Sequence, residues 1–305
     1  MMGKTFLAVA TVLVFLLPAQ GQRFSDLSVF GDSMSDIGNL ATATGGLVPA
    51  EPFVEGRFSN GPLFVEVLAE QLALGPLLPS ILGGTNFAWG GAKAGEDRSL
   101  LNGLLVLPSI ATQVERFIVG LGGERADGEA LYVVFSGSSD IDLALDAGLD
   151  SSSGASITEA AADATLATIE RLAGAGAAHF LVLNLPDMNL TPQHAGRPGA
   201  SEMALQFNQR LATGLAGVGL DIVLFDTFAF LNDLPEGFAV VDAPCVDAAG
   251  EVCANPEEYL FFDHFHPTAT GHRVLAEAPQ ERLSNPSAVA GRSWGALKRD
   301  LARSN

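Results

Sequence analysis

Leu131-Tyr132-Val133-Val134-Phe135 decides the architecture of this chain. These consecutive apolar residues, mostly β-branched or aromatic, leave no polar face for water, as in strands buried on both sides of a parallel sheet. Leu27-Ser28-Val29-Phe30, His179 to Leu185 and Asp221 to Phe225 are strand candidates of the same kind. Segments with helical spacing lie between them. Pro62 to Leu72 is apolar at positions 63, 64, 67, 68 and 72, and Ile110 to Leu121 repeats the pattern. Ile157 to Ala173 is Ala-rich and is followed by Gly174 and Gly176; Ser201 to Leu215 and Thr268 to Ala278 complete the set. Strands separated by helices imply right-handed crossovers and an α/β fold, its mostly parallel sheet covered on both faces. In such sheets ligands bind beyond the carboxyl ends of the strands, where Ser33, Ser139 and Asn184 fall.

Ser33 directly follows the first strand candidate, and Gly31 is expected to let the chain turn sharply there. A serine hydroxyl is a poor nucleophile until a base takes its proton. Asp263-His264-Phe265-His266-Pro267, far along the chain, offers an imidazole and an aspartate three residues before it. Nucleophile, base and orienter together are the logic of acyl transfer, recognised by role rather than by chain order. A serine before a helix also serves as an N-cap, but Asp32, Ser35 and Asp36 are equally able to cap, so capping does not single out Ser33. A metal site made of Asp263, His264, His266 and His272 is the rival chemistry, and its spacing matches no common zinc motif well.

Phe30-Gly31-Asp32-Ser33-Met34-Ser35-Asp36-Ile37-Gly38-Asn39 resembles the first block of the GDSL (SGNH) lipase/esterase family, with Met34 where the name has Leu. Asn86-Phe87-Ala88-Trp89-Gly90-Gly91-Ala92 resembles the second block, and Gly137-Ser138-Ser139-Asp140 stands where Gly-x-Asn-Asp is expected. Phe262-Asp263-His264-Phe265-His266-Pro267-Thr268 resembles the last block, Asp-x-x-His-Pro. Arg57-Phe58-Ser59-Asn60-Gly61-Pro62 and Asn184-Leu185-Pro186-Asp187 also resemble family segments. The resemblance implies a flavodoxin-like three-layer α/β/α sandwich, closest to the lipase and phospholipase branch. It also implies a catalytic Ser33, Asp263 and His266, with no metal or organic cofactor. The oxyanion hole it implies is the Ser33 N–H, a second-block glycine (Gly91, with Gly90 next) and the third-block asparagine. Here Ser139 replaces that asparagine, with Asn184 or Asn86 as other donors, or else the enzyme is slow. Trp89, Phe53, Phe58 and Phe87 are candidate acyl-pocket walls. The functional expectation is a secreted serine carboxylic-ester hydrolase working through an acyl-enzyme. The alternatives are an acyltransferase and, because of Ser139, a non-catalytic or very slow binding protein.

Residues 1–21 read as a secretory signal peptide: Lys4, an apolar run from Phe6 to Leu17, then small residues at Ala19 and Gly21. The expected organisation is this signal, a hydrolase domain over 22–280 and a C-terminal helix or tail over 281–305. The localisation implied is secreted or periplasmic, and in an oxidising compartment Cys245 and Cys253 are expected to pair. The loop they close is short and leads toward Asp263. Hydrophobic residues make up 48% of the 305, ample for a large core, and the net charge is -19. Such an acidic chain is a poor partner for nucleic acid or anionic membranes. The expected partner is a small-molecule or lipid ester, with no stable membrane span and the oligomeric state open.

Overall fold

The computed structural model describes residues 24–233 and 237–284. In chain order the elements are β1 (Leu27–Gly31), α1 (Asn39–Ala43), α2 (Phe64–Gln71), β2 (Arg98–Leu100), β3 (Leu105–Leu107), α3 (Ile110–Gly120), β4 (Leu131–Phe135) and α4 (Ser138–Asp146). They continue with α5 (Ala155–Ala175), β5 (His179–Leu183), α6 (Ala200–Leu215), β6 (Asp221–Phe225), α7 (Thr227–Asn232), β7 (Val240–Pro244), β8 (Tyr259–Phe261) and α8 (Ala269–Ser284). The expected signal peptide and nearly all of the expected C-terminal tail lie outside the described residues.

β1, β4, β5 and β6 form one wholly parallel sheet in that spatial order. The two central strands and β1 are buried at every position but the first residue of β5, which accounts for their continuous apolar runs. Helices α3, α5 and α6 pack in succession on one another and α2 packs on α8, so helices cover the sheet in two groups. This is the expected α/β fold. The register sets Gly31 beside Phe135 and Phe135 beside Leu183, so the loops after β1, β4 and β5 leave the sheet at one level.

An irregular segment extends the sheet on the open side of β1. The Val29 N–H donates to the Thr85 carbonyl, the Phe87 N–H to that of Val29, and the Trp89 N–H to that of Gly31. Residues 85–89 thereby run parallel to β1 and deliver Gly90 and Gly91 to the edge where Ser33 lies.

Several elements differ from expectation. Residues 141–146, Ile-Asp-Leu-Ala-Leu-Asp, place a large apolar side chain at every second position, which obscures helical spacing, yet they lie in α4. Tertiary bonds override the pattern at its start, where Ser138 Oγ donates to Asp32 and Asp140 accepts from the Ala94 N–H. α8 runs to Ser284, beyond the expected end at Ala278, with Pro279 inside it. An internal proline removes a helix hydrogen bond, but burial of Leu275, Ala276, Ala278 and Leu283 holds the last turns against the core. β2 with β3, and β7 with β8, make two small accessory sheets. β2, β3 and β8 have three residues each, too few for a legible period, and β7 is largely unburied and so carries no continuous apolar run.

Candidate active site

Gly31 is the last residue of β1, and its role differs from the one expected. It is absent from the residues with positive φ. A Cβ there would stand 3.0 Å from both the Phe135 carbonyl oxygen and Ser35 Oγ, so close approach, not a special turn, requires glycine. Its N–H and carbonyl are both held by the Gln113 carboxamide of α3, at 3.0 and 2.9 Å. The strand end is therefore fixed two residues before Ser33.

Beyond it, Asp32 is fully buried. It accepts from Ser138 Oγ at 2.5 Å and from the Met34 N–H at 3.1 Å. Burial pushes its pKa up, against those hydrogen bonds and the nearby His266 charge. Asp36, also buried, accepts from the N–H groups of Gly38, Asn39, Leu40 and Gly90. Burial pushes Asp36 up to about 6 in spite of these four donors. Asn39 donates to the carbonyls of Asn86 and Ala88, and Asn86 donates to that of Ser35. The first and second sequence blocks are thus one hydrogen-bonded unit.

The His266 loop is built as tightly. The Phe262 N–H donates to the His266 carbonyl at 2.8 Å. Asp263 Oδ1 accepts from the N–H groups of Phe265 and His266, at 2.8 and 2.5 Å. Ser59 Oγ donates to the Pro267 carbonyl at 2.9 Å, and Asn60 Oδ1 accepts from the Ala269 N–H at 2.7 Å. The Arg57 to Pro62 segment therefore clamps the loop.

Between these two frames Ser33, His266 and Asp263 come together. His266 Nε2 lies 2.8 Å from Ser33 Oγ, and Nδ1 lies 2.8 Å from Asp263 Oδ2. Asp263 thus serves its loop through one oxygen and the imidazole through the other. Burial opposes protonation of His266, but the Asp263 charge and hydrogen bond, with the charges of Asp32 and Asp142, hold its pKa above the ordinary value of 6.5. Burial likewise tends to raise Asp263, yet the His266 charge and the three hydrogen bonds keep it below 3.8.

The expected oxyanion residues flank this relay. Gly91 has φ +74, and neither its N–H nor that of Ser33 donates to an acceptor among the described residues. Ser139 is the second residue of α4, buried, and its hydroxyl makes no hydrogen bond among the described residues. The two other candidate donors are committed elsewhere. Asn184 donates to Asp226 and accepts from the Phe228 N–H, and Asn86 is used as above. Of the candidate pocket walls, Phe58 packs 5.1 Å and Phe53 6.4 Å from the His266 ring, whereas Phe87 stacks on core Phe30 and Trp89 lies under Arg116.

The other histidines have separate settings. His264 is exposed. His272 is buried against Phe64, accepts from the Phe64 N–H, and is pulled down to about 3 by burial. The rival metal ligands do not converge as a set. Asp142, Asp146 and His194 do, with candidate atoms within 4.8 Å of one another. Gln193 Nε2 already donates to both carboxylates, Arg197 pairs with Asp146, and His194 Nε2 bonds Asp142. This cluster ties α4 to a segment whose Gln193 N–H donates to the His264 carbonyl, so it supports the His266 loop from behind. Neither Gln113 nor this cluster was legible in the sequence, because no local pattern marks a bond made across so many residues.

A Ser–His–Asp relay at the carboxyl edge of a parallel sheet is the geometry of acyl-transfer enzymes. A family model described as GDSL-like lipase/acylhydrolase matches residues 27–278, and the chain belongs to that family of ester hydrolases. Thermolabile hemolysin of Vibrio parahaemolyticus is 30% identical over 298 residues, which cover 87% of this chain and 65% of that protein. Phosphatidylcholine-sterol acyltransferase of Aeromonas hydrophila is 27% identical over 303 residues, 95% of this chain and 83% of that one. The chain spans less than two thirds of the hemolysin's length. Among solved structures, a catalytic mutant of an acetylxylan esterase from Geobacillus stearothermophilus aligns with a TM-score of 0.50 at 13% identity, covering 85% of this chain and 93% of that one. That likeness concerns the fold.

Proposed function

We propose that the chain is a serine carboxylic-ester hydrolase acting through an acyl-enzyme. The observation that carries the reading is the unbroken hydrogen-bond path from Ser33 Oγ through the His266 ring to Asp263. In this mechanism His266 Nε2 takes the Ser33 proton as Oγ attacks the ester carbonyl, and then delivers it to the departing alcohol. Asp263 fixes the ring with Nδ1 protonated and stabilises the imidazolium. The N–H groups of Ser33 and Gly91, with the Ser139 hydroxyl, stabilise the tetrahedral oxyanion. Water repeats the sequence at the acyl-enzyme, activated by the same imidazole.

The substrate class is a lipid or small-molecule ester. A relative named for phosphatidylcholine as acyl donor supports the lipid side and also a second reading, transfer of the acyl group to an alcohol in place of water. Export is part of the proposal, supported by the residues 1–21 pattern and by the Cys245–Cys253 disulfide. Among the described residues no helix is long and apolar enough to cross a membrane.

The test is hydrolysis of nitrophenyl esters from acetyl to palmitoyl by the full chain, beside Ser33→Ala, with chelator and with an added alcohol acceptor. Turnover lost in the variant and indifferent to chelator supports the hydrolase. Ester formation outrunning hydrolysis favours the transferase. No turnover above the variant favours the binding-protein alternative.

A further inference from the structure

The β2–β3 hairpin leaves the proposed site in an unusual composition. From Ser99 to Ile110 the chain has no charged residue, although 17% of the whole is charged. Its base is part of the site's frame. Arg98 pairs with Leu107 across the hairpin. A Cβ added to Gly91 would lie 3.3 Å from Leu107 Cδ1 and 3.4 Å from Arg98 Nη1. Ser109, just past the hairpin, donates to Asp97 and caps α3, the helix whose Gln113 grips Gly31.

The tip does the opposite of the base. Leu101 is 70% exposed, Leu104 88% and Val106 47%. Leu100 and Leu105, by contrast, pack on the core. Leu101 and Asn102 both hold positive φ, 51° and 54°, a backbone region that non-glycine residues enter only at a cost. The hairpin thus has a rigid root on the oxyanion glycine and an uncharged, apolar, outward tip.

We propose that this tip docks the protein on the surface of a zwitterionic lipid bilayer, inserting Leu101 and Leu104 beside the site that receives the ester. The inference rests on the ester-hydrolase reading for its purpose but not for its geometry. Two features choose the occupant. The body carries a net charge of -19, so an anionic surface repels it while a zwitterionic one does not, and the tip brings no charge of its own to desolvate. The tip exposes three large apolar side chains, Leu101, Leu104 and Val106, whereas a stable protein partner or second copy needs roughly 20–30 residues a side. A lipid surface imposes no such requirement, because each apolar side chain that enters it contributes separately.

The experiment separates docking from chemistry. The full chain carrying Ser33→Ala is sedimented with phosphatidylcholine vesicles, with and without added phosphatidylglycerol. Binding to the former is expected, weakened by the latter, and reduced about tenfold or more by Leu101→Asp with Leu104→Asp. Leu104→Ser, at a position with almost no packing, moves binding in the same direction. With Ser33 intact, the double variant loses hydrolysis of vesicle-borne ester by a similar factor while hydrolysis of dissolved nitrophenyl acetate stays within about twofold. Absence of vesicle binding, or binding unchanged by these substitutions, overturns the proposal. Self-association that the same substitutions abolish, seen by light scattering, also overturns it in favour of a copy-to-copy contact. Failure of the hydrolase reading shows differently, as no turnover of dissolved ester with vesicle binding intact.

Discussion

Replacing Ser33 by alanine removes one hydroxyl and its bond to His266 Nε2. The expected loss in kcat is on the order of 10⁴-fold or more, because the variant keeps only binding and the oxyanion donors. The other two members act through pH. In the proposed mechanism neutral His266 is the base, and its pKa is raised above 6.5. The acid limb of kcat/KM is therefore expected above that value, and Asp263→Asn should move it downward while lowering the plateau. The same shifts set the pair's contribution to stability. A raised His266 pKa stabilises below about 6.5 and loses this as pH rises through its folded value; a lowered Asp263 pKa stabilises above about 3.8 and loses this as pH falls. The melting-temperature gap between the native chain and Asp263→Asn is thus expected to be widest between these limits. Ser139→Ala removes the one side-chain donor of the proposed oxyanion hole and should cost roughly 100-fold in kcat with little change in KM.

The turns that carry these side chains are as specific as the side chains. Gly91 sits at φ +74 under Leu107, so Gly91→Ala combines left-handed strain with a tight contact. A stability loss of about 1–2 kcal/mol is expected, with a larger proportional loss of activity, measured by thermal unfolding and steady-state kinetics on the same preparation. Asp36→Ala leaves four N–H groups in the buried core of the unit without their acceptor. On the order of 3 kcal/mol is expected, read as a drop in denaturant midpoint. The Cys245–Cys253 disulfide closes a short loop ahead of β8, with the Val246 N–H donating to the Phe262 carbonyl. Replacing both cysteines by serine should cost about 2 kcal/mol, near the low end for disulfides. Its effect on kcat should be smaller, because Asp263 is held by the backbone of its own loop.

Across the molecule, what was legible in the sequence depended on range. The four parallel strands were readable because each carries a mainly apolar run, written by burial on both faces in β1, β4 and β5 and kept in the half-buried edge strand β6. Their order was not, since pairing of β1 with β4 joins residues about a hundred positions apart with no mark on either. Ser33, Asp263 and His266 were readable because each stands in a dense local motif, and the structure brings those motifs within hydrogen-bond reach. The supporting set of Gln113, Asp142, Gln193 and His194 was not, because each carries an ordinary surface-type residue that becomes significant only by burial and partnership. The roles of Ser59 and Asn60 fall between: their segment was noticed, but only the bonds to Pro267 and Ala269 give its purpose.

The proposed mechanism depends on activation of Ser33 by His266. Reaction with a fluorophosphonate probe, followed by mass spectrometry of the intact chain and its peptides, tests it whichever ester the enzyme takes. One adduct is expected, on Ser33, absent from Ser33→Ala and slowed by orders of magnitude in His266→Ala. An adduct on another serine, or labelling of Ser33 at the same rate without His266, would contradict it.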